Sequence, residues 1–205
     1  PKWDYFPCGT FSLTLTDGVG NASTEDNGGN CFTFTTLFQP DYFTQDFDSG
    51  YDLAYTSLYF KPDGSSSFYA GCMESVTEFP TDPSGGTEVS LSDDSYAKVT
   101  LAEGRQVSFF GTAYDTFYIG SNGYITFGDG DDSYSSTLEN HFALPRVSAH
   151  FADLNPGNGG TISWKQLDDR AVVTWNGVPP WMSFGASVKV QAELYFNGMI
   201  SITAL

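Results

Sequence analysis

Between Phe109 and Phe127 the chain reads strand, turn, strand, and this stretch restricts the fold more than any other. Phe117 and Ile119 alternate with Tyr118 and Gly120. Asn122-Gly123 then supplies the positive-φ pair that a tight hairpin turn takes. Tyr124 and Thr126 alternate with Ile125 and Phe127 beyond it. A period of two suits a pleated strand and does not suit a helix. The stretch holds no nucleophile–base pair and no metal cluster. It is architectural, and it tilts the reading away from an enzyme.

The same grammar recurs along the chain. Tyr55 to Lys61 and Ser66 to Cys72 flank Pro62-Asp63-Gly64, which is strong turn chemistry. Tyr96 to Leu101 and Gln106 to Phe110 flank Ala102 to Arg105 and are expected to pair as a hairpin. Arg146 to Asp153, Thr161 to Gln166 and Ala171 to Trp175 read as strands, and so do Ser187 to Phe196 and Met199 to Ala204 around Asn197-Gly198. With 18 Phe, 12 Tyr and 22 Gly, strands and turns are favoured over helices. The expected fold is all-β: an antiparallel two-sheet sandwich or jelly roll.

Residues 1–45 differ from residues 46–205 and are expected to form an N-terminal arm. Phe11, Leu13 and Leu15 alternate with hydroxyl residues, as do Phe32 and Phe34. Asp17 to Asn30 between them is polar and is expected to loop. A strand outside the main domain can complete the sheet edge of a neighbour, with Phe11, Leu13, Leu15, Phe32 and Phe34 filling pockets. Head-to-tail repetition of that contact gives an open fibre. The competing reading leaves both strands in their own chain's sandwich.

The net charge is −17, from 25 acidic and 8 basic side chains. That excess repels nucleic acid and anionic membrane surfaces, so neither is an expected partner. No run is long and apolar enough to insert in a bilayer. The chain begins at Pro1 with no Met and no leader pattern, which reads as a mature polypeptide or a fragment. Asn21-Ala22-Ser23 is a sequon, marking Asn21 as a glycosylation candidate. Cys8 and Cys31 bracket the polar excursion and are expected to form a disulfide, with Cys72 buried or paired elsewhere.

One resemblance joins several of these pieces. Ser121-Asn122-Gly123-Tyr124, Pro145-Arg146-Val147 with Phe151-Ala152-Asp153-Leu154-Asn155-Pro156, Val173-Thr174-Trp175 to Val178-Pro179, and Gln191 to Ile200 occur in that order. This signature resembles secreted bacterial β-sandwich modules of nidogen-like character. It spans about Asp46 to Leu205 and leaves the arm outside. The resemblance implies an extracellular, non-catalytic module of larger secreted proteins, and it carries no catalytic residues.

Candidate sites are few. Asp129, Asp131 and Asp132 alternate with glycine and offer oxygen ligands to Ca²⁺, although the EF-hand spacing is not met. Asp153 with Asn155 and Asn158 offers another such set, or simple turn capping. His141 and His150 lack the partners that a triad or a transition-metal site needs. Trp164 and Trp175 lie in strands and are expected to be buried. Trp181 follows Pro179-Pro180 in a loop and is the candidate for stacking on a glycan. The functional expectation is a secreted, non-enzymatic structural or assembly module that forms a homo-oligomer or polymer by strand addition. The alternative is a carbohydrate-binding module.

Overall fold

A computed structural model describes residues 15–16, 22–23, 43–47, 50–65, 68–182 and 185–205. The architecture is an all-β sandwich. Two short strands, β1 (Leu15–Thr16) and β2 (Ala22–Ser23), pair with each other and belong to neither main sheet. The larger sheet contains β3 (Thr56–Pro62), β4 (Tyr69–Ser75), β5 (Thr87–Glu88), β12 (Thr161–Gln166), β13 (Arg170–Val178), β14 (Val188–Tyr195) and β15 (Ile200–Ala204). Its order is β4-β3-β15-β14-β13-β12-β5. The smaller sheet contains β6 (Tyr96–Thr100), β9 (Thr116–Gly120), β10 (Tyr124–Thr126) and β11 (Arg146–Ser148), in the order β11-β10-β9-β6. A separate hairpin joins β7 (Val107–Phe109) to β8 (Thr112–Tyr114). Every pairing between these strands is antiparallel. Among the described residues α1 (Leu138–Phe142) is the one α-helix, capped by Thr137.

The period of two decides what faces the core. Val190, Ala192 and Leu194 of β14 point into it together with Val173 and Trp175 of β13. Phe117, Ile119 and Ile125 meet them from the smaller sheet. Trp175 is fully buried, and its Nε1 donates to the Gly120 carbonyl at 3.0 Å, so the sheets are joined by a polar contact as well as by packing. Each buried side chain of this size contributes about 1.5–3 kcal/mol relative to exposure.

Two expectations need correction. The first is the hairpin of Tyr96 to Leu101 with Gln106 to Phe110. Instead β6 pairs with β9, and β7 turns back on β8. The reason is local: Phe110 and Gly111 both have positive φ, 45° and 78°, which closes a two-residue hairpin loop there. The second is the Asn122-Gly123 turn. Ile119 pairs with Ile125, and only Gly123 has positive φ, at 79°. The loop therefore has the longer three-residue form with glycine in the left-handed position. Asn197-Gly198 behaves the same way: Leu194 pairs with Ile200, and Gly198 has φ 89°.

One of the three cysteines lies among the described residues. Cys72, in the middle of β4, is disulfide-bonded. The chain has two other cysteines, Cys8 and Cys31, and both lie outside the described residues. The expected Cys8–Cys31 staple therefore falls outside the described residues. Asn21, Phe11, Leu13, Phe32 and Phe34 also lie outside the described residues.

Candidate functional site: a buried asparagine hub beside three carboxylates

The S-N-G-Y turn does more than reverse the chain. Ser121, Asn122 and Tyr124 are all buried. Asn122 Oδ1 accepts from Leu154 N–H at 2.8 Å. Its Nδ2 donates to Asp94 Oδ1 at 2.9 Å and to the Ser133 carbonyl at 3.1 Å. One amide thus joins three loops that are distant in sequence. His150 N–H donates to the Gly123 carbonyl at 3.0 Å and Ala152 N–H to the Asn122 carbonyl at 3.3 Å, laying the 149–155 segment against the turn. A Cβ on residue 123 would sit 2.1 Å from the His150 carbonyl oxygen, so glycine is required by contact as well as by φ.

Arg146 closes the other side. Its side chain is buried and pairs with the Asp131 carboxylate. Its Nη2 also donates to the Asn140 carbonyl at 2.9 Å and its Nε to that of His141 at 3.2 Å. The guanidinium lies 4.2 Å from the Tyr124 ring centroid and 5.0 Å from that of Phe151. Burial alone would raise the Asp131 carboxyl, but Arg146 and Ser133 override it and hold the group below its ordinary value. Burial and the nearby Asp131 charge raise the Tyr124 phenol.

Three carboxylates come together next to the hub. Asp93, Asp94 and Asp153 each offer an oxygen within 4.8 Å of the others. Asp93 Oδ1 is buried without a hydrogen-bond partner. The Asp93 carboxyl is raised by burial and then by the charges of Asp94 and Asp153, and the Asp153 carboxyl by burial and then by Asp94. Like charges at this distance disfavour joint ionisation. A hard divalent cation with oxygen ligands fits such a donor set.

The expected calcium residues are distributed differently. Of the expected four, only Asp153 belongs to this trio. Asp131 is committed to Arg146 and Ser133. Asp129 Oδ1 accepts from Gly130 N–H, and Asp132 is exposed. Asn155 caps the short 3₁₀ turn Pro156–Asn158 by accepting from Gly157 N–H at 2.9 Å. Asp93 and Asp94 carried no sequence signal beyond a turn-forming Ser-Asp-Asp-Ser run, because only the fold brings them to Asp153.

The outer face of the larger sheet holds another buried polar network. Glu193 is 1% exposed. It receives the Thr81 hydroxyl, Arg170 Nε at 3.2 Å, the Tyr195 hydroxyl at 2.9 Å and the Ser201 hydroxyl at 3.0 Å. Gln191 exchanges hydrogen bonds with the Thr81 backbone, accepting at 3.1 Å and donating at 2.7 Å. The two polar positions of the Gln191 to Ile200 motif therefore strap the 76–83 segment onto the sheet.

The histidine side chains sit elsewhere, around a cavity of about 400 Å³ beside edge strand β11, roofed by residues 43–47 with Tyr51 and Leu53. His141 lies between Ser148 Oγ and Thr44 Oγ1, both at 2.9 Å. His150 packs edge-on against Tyr51, and burial lowers its imidazole. Trp181 is 46% exposed and Met182 beside it 80%, as expected for that loop.

The profile of the NIDO-related family matches residues 54–204, about three-quarters of the chain. The chain belongs to the nidogen-related family. No curated protein and no solved structure matches it. The nidogen-related match covers the sandwich, and nidogen-related domains are typically extracellular. Among the described residues no helix is long and apolar enough to cross a membrane.

Proposed function

We propose that the chain is a secreted, non-catalytic structural and assembly module whose copies join by β-strand addition through the N-terminal arm. One observation carries this reading. The polar side chains of the family signature are spent on holding loops to the sandwich: Asn122, Arg146, Gln191 and Glu193 bond inward. Such a scaffold is rigid, and what it offers outward is its edges and loops. β4 and β6 are edge strands among the described residues, and an exposed edge is a template for another strand. The period-two pattern of Phe11, Leu13 and Leu15, and of Phe32 and Phe34, suits a segment that is donated as a strand.

Electron microscopy and sedimentation of the purified full chain test the proposal. Assembly is expected, and Leu13→Asp with Leu15→Asp abolishes it while the sandwich stays folded, because charges are forced into apolar pockets. A chain that stays monomeric at high concentration overturns the reading.

Glycan binding is the second reading. It is favoured by the position of the exposed Trp181, whose backbone N–H donates to the Asp153 carbonyl at 2.7 Å, beside the carboxylate trio. Trp181→Ala removes retention on a glycan array if that surface binds sugar, and leaves assembly unchanged.

A further inference from the structure

We propose that the Thr81 hydroxyl and the Gln191 carboxamide react with each other to form an intramolecular ester, which makes the strap across the larger sheet covalent. The course of the chain gives such a bond a purpose. β4 and β5 stand at opposite ends of the seven-stranded order, and residues 76–86 connect them. The connection therefore crosses the sheet from one end to the other. It is pinned at Thr81 to β14, the central strand of the order. The pin is on the outer face, because Gln191 and Glu193 alternate with the core-facing Val190, Ala192 and Leu194.

Making an ester from an alcohol and a primary amide takes a base for the hydroxyl, a donor on the carbonyl oxygen and an exit for the nitrogen. Each of these surrounds Thr81. Its hydroxyl donates to Glu193 Oε1, which is placed to take the proton. Arg170 Nη2 donates to the same Thr81 oxygen at 3.1 Å and offsets the negative charge that builds there. Thr81 N–H donates to Gln191 Oε1 at 3.1 Å, the atom on which the oxyanion develops. Gln191 Nε2 donates to the Thr81 carbonyl at 2.7 Å and to Thr174 Oγ1 at 2.8 Å. The Thr81 backbone thus grips both ends of the carboxamide that its own side chain attacks.

The step balances with nothing added. Thr81 Oγ1 passes its proton to Glu193 and bonds to Gln191 Cδ. The Cδ–Nε2 bond then breaks, and Glu193 returns the proton to the departing nitrogen. The products are one ester and one ammonia, and Glu193 is a carboxylate again.

Burial makes the reaction feasible and its product durable. Thr81, Thr174, Gln191 and Glu193 are all buried, the most exposed of them at 7%. Water, which competes with the hydroxyl and hydrolyses esters, is kept out. Groups held in reacting geometry gain an effective concentration of about 10⁵–10⁸ M, so a slow reaction completes within the life of the protein. Ammonia that escapes is diluted and protonated and does not return. The hydrogen-bonded strap can lift from the sheet, whereas an esterified one stays on β14. All of the reacting groups lie in the sandwich, so the inference is independent of the N-terminal arm and of strand addition.

Intact mass spectrometry of the reduced full chain tests the assignment. Wild type is expected to be lighter than its sequence by one ammonia, and so is Thr81→Ser, which keeps a hydroxyl. Thr81→Val and Glu193→Gln are expected at the full sequence mass. Fragmentation of wild type yields two peptides joined through Thr81 and Gln191, and mild alkali separates them, because esters hydrolyse under conditions that leave amides intact. A wild-type chain at its full sequence mass overturns the proposal, and that measurement needs no variant to fold. A missing ammonia that maps to a succinimide at an Asn-Gly pair, or a link that maps to Thr174, overturns it as well.

Discussion

Asn122 donates to Asp94 at 2.9 Å, while the same carboxylate lies beside Asp93 and Asp153. The hub that knits three loops is therefore also the one hydrogen-bond donor shown on the acidic trio among the described residues. Stability of the loops and the charge state of the trio are coupled through this one amide.

Replacing Asn122 by Ala removes three hydrogen bonds and leaves the buried Leu154 N–H without this partner, while the Ser133 carbonyl still accepts from the Tyr124 hydroxyl at 2.9 Å. An unsatisfied buried group costs about 1–3 kcal/mol, so a loss of about that size is expected. Asn122→Asp costs more, because it adds a fourth carboxylate. Urea denaturation reads both, and a loss under 1 kcal/mol for Asn122→Ala would show that the amide is not the tie described.

The trio makes stability depend on pH and on cations. Asp93 and Asp153 have carboxyls raised above the ordinary 3.8. The contribution of such groups is fully present below their unfolded value and is lost as pH rises through the folded one. At neutral pH without divalent cations, Asp153→Asn should therefore raise Tm, and the gain should shrink as pH falls toward 4. With millimolar Ca²⁺ the order reverses, since wild type then gains from a ligand bound only when folded. Melting curves in chelator and in Ca²⁺ check this, and identical curves for wild type in the two conditions would remove Ca²⁺ as a ligand.

Gly123→Ala puts a methyl group 2.1 Å from the His150 carbonyl at φ 79°. Backbone must move, so the expected loss exceeds the roughly 1–3 kcal/mol of ordinary backbone strain. Gly128→Ala is the control: its φ is 87° but nothing lies within 4 Å, so it carries strain without collision. Equal melting temperatures for the two variants would contradict the contact argument.

Arg170 and Glu193 should show strong non-additivity. Arg170→Met leaves the buried Glu193 carboxylate without its cation, costing about 3–5 kcal/mol. Adding Glu193→Leu removes the orphaned charge and should restore part of that loss. A double-mutant cycle on urea midpoints measures the coupling. Simple addition of the two losses would mean that the pair is not energetically joined.

The sequence by itself determined the local grammar of this protein. Val190, Ala192 and Leu194 face the core because a strand alternates, and that is visible in the letters. The positions of both Asn-Gly turns are also visible there, although only the glycine of each pair takes the positive φ, which it accepts at no steric cost. The burial of Trp175 and the exposure of Trp181 also followed, one from a strand and the other from a Pro-Pro loop. Tertiary structure decided the pairings and the sites. Whether Tyr96 to Leu101 joins β7 or β9 depends on which sheet buries Val99, and period two is the same in both arrangements. Asp93, Asp94 and Asp153 are about sixty residues apart at the widest in sequence, and only the packing of the 149–155 segment on the S-N-G-Y turn brings them together. Asp131 looked like a cation ligand until the fold placed Arg146 against it. The bond at Cys72 was equally out of reach, because spacing along a chain does not say which cysteine the folded sheet carries to its edge.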